Sequence, residues 1–145
     1  MDARSSYREA SIQGASPLRL VVCLYEQAII DLRRAIMAFE NGAVETRTRE
    51  INHALLVLAH LQGSIDADRG GEVARNLQRF YNLVRAGLVE AQVKQSRLIL
   101  EQQISQLTLV HEAWQQLERD TATPNSGRTA HSAASSESAH TGWNA

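Results

Sequence analysis

Glu50-Ile-Asn-His53 places a carboxylate and an imidazole three positions apart. On a helix that spacing puts both on one face, where they can bind a metal. Di-metal helical bundles need two such Glu-x-x-His pairs and two further glutamates, all facing inward. The second copy here, Glu137-Ser-Ala-His140, lies in a Ser- and Ala-rich stretch with no helical pattern. One pair cannot build a di-metal centre, so no metal and no cofactor are expected. The single cysteine, Cys23, sits among apolar residues and reads as packing. Gly70-Gly71 lacks the phosphate-loop pattern and reads as a helix boundary. No serine, histidine and acid combine into a nucleophilic constellation.

Ala59-His60-Leu-Gln-Gly63-Ser64 is the other stretch with chemical potential. Histidine phosphotransfer bundles carry a helical motif that reads roughly Ala-His-x-Leu-Lys-Gly-Ser. Here the glycine follows the histidine by three positions instead of four, and Gln62 stands where lysine would hold phosphate. One deletion rotates the rest of the helix by about 100°, so the groups leave their common face. His60 therefore reads as a surface or boundary histidine. Phosphotransfer through His60 is the alternative function, with a metal-binding bundle third. Neither reading makes the chain an enzyme with a recognisable catalytic site.

The elements that carry these residues follow from apolar periodicity. Ser16-Pro17 is a helix start: serine caps with its hydroxyl and proline suits the first helical position. Leu18, Val21, Val22, Tyr25, Ala28, Ile29, Leu32, Ala35, Ile36 and Phe39 then recur at helical spacing, and Asn41-Gly42 supplies a stop. The spacing predicts helices over 17–41, 44–66, 72–92 and 97–119, with Ser96 a candidate cap for the last. Four long helices with short connections imply an all-α, antiparallel up-down four-helix bundle. Residues 1–15 read as a short N-terminal arm, 16–120 as the bundle, and 121–145 as a disordered Ser/Thr/Ala-rich tail carrying a lone Trp143.

The totals narrow the function classes. The 145 residues hold 15 basic and 16 acidic side chains, a formal charge of −1. That balance argues against nucleic-acid or anionic-membrane partners. No segment has the length and apolarity of a membrane span or a signal peptide, so a cytosolic location is expected. One cysteine cannot form an intramolecular disulfide.

Apolar residues exceed what one core stripe per helix requires. Helix 1 adds Leu20, Cys23, Leu24, Ile30 and Met37; helix 2 adds Leu56 and Val57; helix 4 adds Leu98, Ile99 and Leu109. Either the stripes are wide or a second face receives an apolar partner. Gly63 and Gly87 fall inside predicted helices, where close approach of another backbone would offset their cost.

The combined pattern resembles the flagellin-specific export chaperones of the FliS family. The matching residues are Tyr7, Ser16-Pro17-x-x-Leu20, Leu24-Tyr25, Ala35, Ala54, Leu58, Ile65-Asp66, Gly70-Gly71-Glu72, Asn76-Leu77, Tyr81, Leu88, Ala91 and Ala113-Trp114. They span about Tyr7 to Arg119. The chain departs from the pattern at His53, Gly87 and Gln92. The resemblance implies a cytosolic, non-enzymatic chaperone that binds the C-terminal segment of flagellin, prevents premature polymerisation and keeps it competent for type III export. It further implies contact with the export apparatus or other flagellar regulators, and a monomer or weak homodimer. Tyr7, Ile12, Leu20, Leu24, Leu56, Val57, Leu77 and Tyr81 are the candidate flagellin-binding residues, with Tyr7 and Ile12 anchoring an arm that covers the groove until flagellin displaces it.

Overall fold

The computed structural model describes residues 16–122. They form α1 (Pro17–Asn41), α2 (Val44–Gly63), α3 (Ala67–Lys94) and α4 (Arg97–Ala122), with no strand among the described residues. The arm and nearly all of the tail lie outside them.

Local chemistry sets the ends of α1. The Ser16 hydroxyl accepts from the Arg19 backbone N–H at 3.1 Å, with Pro17 at the first helical position. At the far end Gly42 takes φ 69°. Its N–H donates to the Phe39 carbonyl, and the Ala43 N–H donates to the Ala38 carbonyl, closing a Schellman turn. Ser96 caps α4 as its position suggested, accepting from the Ile99 N–H at 3.1 Å.

The α2–α3 boundary differs from the sequence expectation. Helix α2 stops at Gly63 rather than 66, and α3 begins at Ala67 rather than 72. Asp66 is the reason: its carboxylate accepts from the Arg69 N–H at 3.2 Å and starts a helical turn ahead of the glycines. Gly70-Gly71 still marks a break, as the sequence suggested, between that added turn and the main body of α3. It lies inside α3, where Gly71 kinks the helix at φ 55°, ψ −130°, a conformation reserved for glycine.

Cross-helix pairs fix direction and register. Arg19 meets Glu118 at 3.1 Å, Glu26 meets His111 at 3.1 Å, and Glu40 meets Arg97 at 2.8 Å. Each step up α1 is matched by an equal step down α4, and the steps are whole heptads, so the two helices run antiparallel in one register. Phe39 lies under the Arg47 guanidinium, and Asp31 contacts His53, which makes α1 and α2 antiparallel. Gln62 bonds Gln78 and Asn82 while Gln92 bonds Thr48, which does the same for α2 and α3. The helices close a ring in which α1 touches α2 and α4, and α3 touches the same two.

Tyr25, Leu32, Ile51, Leu58, Leu88, Leu100 and Leu107 fill the centre. Helix α1 is enclosed on more than one side: Cys23, Leu24 and Ala28 are buried along with Val22 and Tyr25. The apolar surplus thus divides. Cys23, Leu24 and Val57 are interior; Leu20 and Ile99 are half-buried against the core; Ile30, Met37, Leu56, Leu98 and Leu109 are exposed. The expected close approach of another backbone at Gly63 and Gly87 is corrected. A Cβ at Gly63 would meet nothing within 4 Å, and one at Gly87 would meet the Gln103 side-chain amide at 2.5 Å.

Polar groups also enter the α1–α2 contact. Asp31 is fully buried. It accepts from the Gln27 amide at 2.9 Å through one carboxylate oxygen, and its other oxygen faces His53 Nδ1. The imidazole of the Glu50–His53 pair is thereby engaged inside the helix contact. Among the described residues no group of three His, Cys, Asp or Glu side chains could hold a metal ion.

Candidate functional site

The kink in α3 has a spatial consequence. It sets the first turn of α3 aside from the rest of that helix and leaves a cleft at one end of the bundle. The cleft measures about 380 Å³ and is walled by Val21 of α1, Leu61 of α2, Val73, Leu77 and Tyr81 of α3, and Trp114 of α4. Its surface is mainly apolar. Asp66 and Arg69 stand among its lining, paired with each other at 3.6 Å. Four separate elements supply one concave apolar surface, the shape that receives an apolar side chain from a partner.

Two aromatic rings, Tyr81 and Trp114, line the cleft, and the fully buried ring of Tyr25 backs them. Tyr25 and Tyr81 lie with centroids 6.2 Å apart, and Tyr25 and Trp114 6.4 Å apart, all tilted. The Tyr25 hydroxyl donates to Tyr81 at 2.8 Å. Burial pushes both phenols above the ordinary tyrosine value, and for Tyr81 the neighbouring Tyr25 adds to the effect. Both remain neutral donors throughout the physiological range.

Of the residues proposed from sequence, the structure brings Leu77 and Tyr81 together in this cleft. Leu20 packs on the core as a half-buried side chain. Leu24 and Val57 are buried in the core, 4% and 3% exposed, and offer no surface in this state. Leu56 points outward, 68% exposed, in a broad depression of about 550 Å³ along α2. That depression is larger, but one helix alone lines it and Glu45 and Arg49 interrupt it, so it is surface relief rather than a walled site. Tyr7 and Ile12 lie outside the described residues. His60 is exposed on α2.

Val21, Val73 and Trp114 were not among the site residues read from the sequence. Periodicity assigns all three to core stripes. The signal that could have found Val73 is its place two residues after Gly71, where the main body of α3 resumes beyond the kink.

Known proteins resemble this chain along most of its length. It is 28% identical to the flagellar secretion chaperone FliS of Salmonella typhimurium over 110 residues, 75% of this chain and 82% of that one. It is 30% identical to the flagellar secretion chaperone FliSB of Pseudomonas aeruginosa over 118 residues, 79% of this chain and 94% of that one. It is 24% identical to the FliS chaperone of Bacillus subtilis over 112 residues, 77% of this chain and 83% of that one. The family model described as flagellar protein FliS matches residues 1–121. With that match over five-sixths of its length, the chain belongs to the FliS family of flagellar secretion chaperones.

Proposed function

We propose that this protein acts in the cytosol as the chaperone of flagellin, binding its C-terminal segment and holding it unpolymerised until the type III export apparatus takes it. The observation that carries this reading is the apolar cleft at the end of a bundle whose family is one of flagellar secretion chaperones. A client segment that is unstructured when free and amphipathic when ordered would set an apolar anchor in the cleft. Burying one Leu- or Phe-sized side chain contributes about 1.5–3 kcal/mol. Ordering the segment offsets part of the contact energy, which leaves an affinity that permits release. Among the described residues no helix is long and apolar enough to cross a membrane.

Calorimetric titration with a flagellin C-terminal peptide tests the reading. Binding at micromolar concentration with a negative heat-capacity change is expected. No heat at micromolar peptide sinks it. Val73→Asp locates the contact: Val73 is 66% exposed, so the fold tolerates the change while a charge enters the cleft. Affinity should fall about tenfold, roughly 1.4 kcal/mol, with the melting temperature unchanged.

The arm would regulate this site. Tethered through Ser16, Tyr7 and Ile12 would compete for the cleft at an effective concentration on the order of millimolar. Even weak docking would then cover the cleft until client arrives. Removing residues 1–15 should tighten the peptide complex or speed its formation; weaker or slower binding would argue against a competing arm.

A further inference from the structure

The cleft opens at the end of the bundle where α1 begins and α4 ends. Helix α1 starts at Pro17, one turn before Val21, and α4 ends at Ala122, two turns beyond Trp114. The chain past α4 lies outside the described residues, and the family match stops at residue 121. Its composition is uneven. Thr123 to Gly142 holds only small, polar and charged side chains and one proline, with no large apolar group. Trp143 is then the one tail residue able to bury a substantial apolar area. A Ser- and Gly-containing link of roughly 20 residues has a mean span of about 25 Å. The way back from Ala122 to Trp114 is about 12 Å along the helix axis, so Trp143 can reach the cleft without stretching the link. The lining suits an indole. Val73 and Leu77 offer aliphatic walls and Trp114 a ring for a second ring to pack on. Arg69 borders the cleft with its side chain 87% exposed, and a guanidinium over an indole face is favourable. The Asp66 carboxylate beside it can accept from the indole N–H.

We propose that the tail, residues 123–145, is a ligand of its own bundle: Trp143 docks in the cleft and is displaced by the apolar anchor of a client. The docking needs the cleft but not the identity of the client. Tethering sets its strength. Burial of one indole supports a dissociation constant on the order of millimolar. A tether of this length supplies an effective concentration of the same order. The cleft is then covered for about half of the time or more. A competitor sees only the open fraction, which weakens its apparent affinity about two- to fivefold. The tail is thus a threshold and not a lock. It shields the apolar surface from chance single-residue contacts, and a client that brings several contacts overcomes it. Arm and tail are alternative covers of one cleft, and substitutions separate them.

Trp143→Ala in the full chain tests this, and it leaves every residue of the bundle in place. A docked indole shifts nearby methyl protons by its ring current. The Val73 and Leu77 methyl signals in NMR should therefore move when Trp143 is replaced, while those of Ile51 and Leu88 in the core stay fixed. Affinity for the flagellin C-terminal peptide should tighten about two- to fivefold. Val73 and Leu77 signals that ignore Trp143→Ala overturn the proposal. Signals that respond to removing residues 1–15 and not to Trp143→Ala give the cleft to the arm and overturn it too. A response that grows with protein concentration places Trp143 in the cleft of a second molecule, which also overturns it. A methyl response with unchanged peptide affinity removes the competition and the proposal with it. If the peptide does not bind at all but the methyl response is present, the client reading falls and the docking of Trp143 stands.

Discussion

His53→Leu should lower the unfolding free energy by about 3–5 kcal/mol, while Asp31→Leu combined with His53→Leu should restore most of that loss. Asp31 is fully buried at the α1–α2 contact, with Gln27 on one oxygen and His53 on the other. Removing the imidazole leaves a buried carboxylate with one hydrogen-bonding partner fewer, and breaking a buried pair from one side is among the largest single-residue effects. Replacing both partners with apolar side chains of similar volume removes the desolvation cost along with the attraction. For a domain whose whole stability is of order 5–15 kcal/mol, the single substitution would move a urea midpoint by a large fraction of its value. Equal midpoints for His53→Leu and the unmodified protein would show that the pair contributes nothing. A double variant as unstable as the single one would show that Asp31 acts through something other than His53.

Two glycines should respond to the same substitution with opposite signs. Gly71→Ala should destabilise by about 1–3 kcal/mol, because φ 55° with ψ −130° is closed to a residue with a Cβ. Gly63→Ala should stabilise by about 0.4–1 kcal/mol, because Gly63 is helical and its added Cβ meets nothing within 4 Å. Denaturant melts of the two variants check both signs. Gly71→Ala should also weaken the client peptide beyond its effect on stability, since relieving the strain straightens α3 and moves Val73 out of the cleft wall. A Gly71→Ala protein with unchanged stability and unchanged peptide affinity would remove the kink from the account of the site.

How far the molecule was legible varies with the kind of signal. Both ends of α1 could be read because Ser16-Pro17 and Asn41-Gly42 act through local hydrogen bonds and backbone freedom alone. Ser96 was legible for the same reason. The break at Gly70-Gly71 was legible, but the turn that the Asp66 cap nucleates ahead of it was not. Leu77 and Tyr81, named from the sequence, line the cleft. Leu24 and Val57 were named with them but are interior, because a wide core stripe and a second surface look identical on one helix. Trp114 and Val21 belong to the cleft only through the way four helices meet, which no periodicity records. Asp31 escaped attention because patterns of apolar residues pass over a polar group whose partner lies on another helix.

The closure of α1 against α4 has a consequence for when this protein can act. Val21 lies near the beginning of the bundle and Trp114 near its end, and the cleft needs both. A chain still emerging from the ribosome with only its first three helices has one wall missing, and the heptad-spaced partners Glu118, His111 and Arg97 are not yet made. Helices can form as they emerge, since synthesis runs from the N-terminus, but the cleft cannot. On the proposed reading, a chain without its fourth helix would hold no client, because one wall of the cleft is absent rather than weakened.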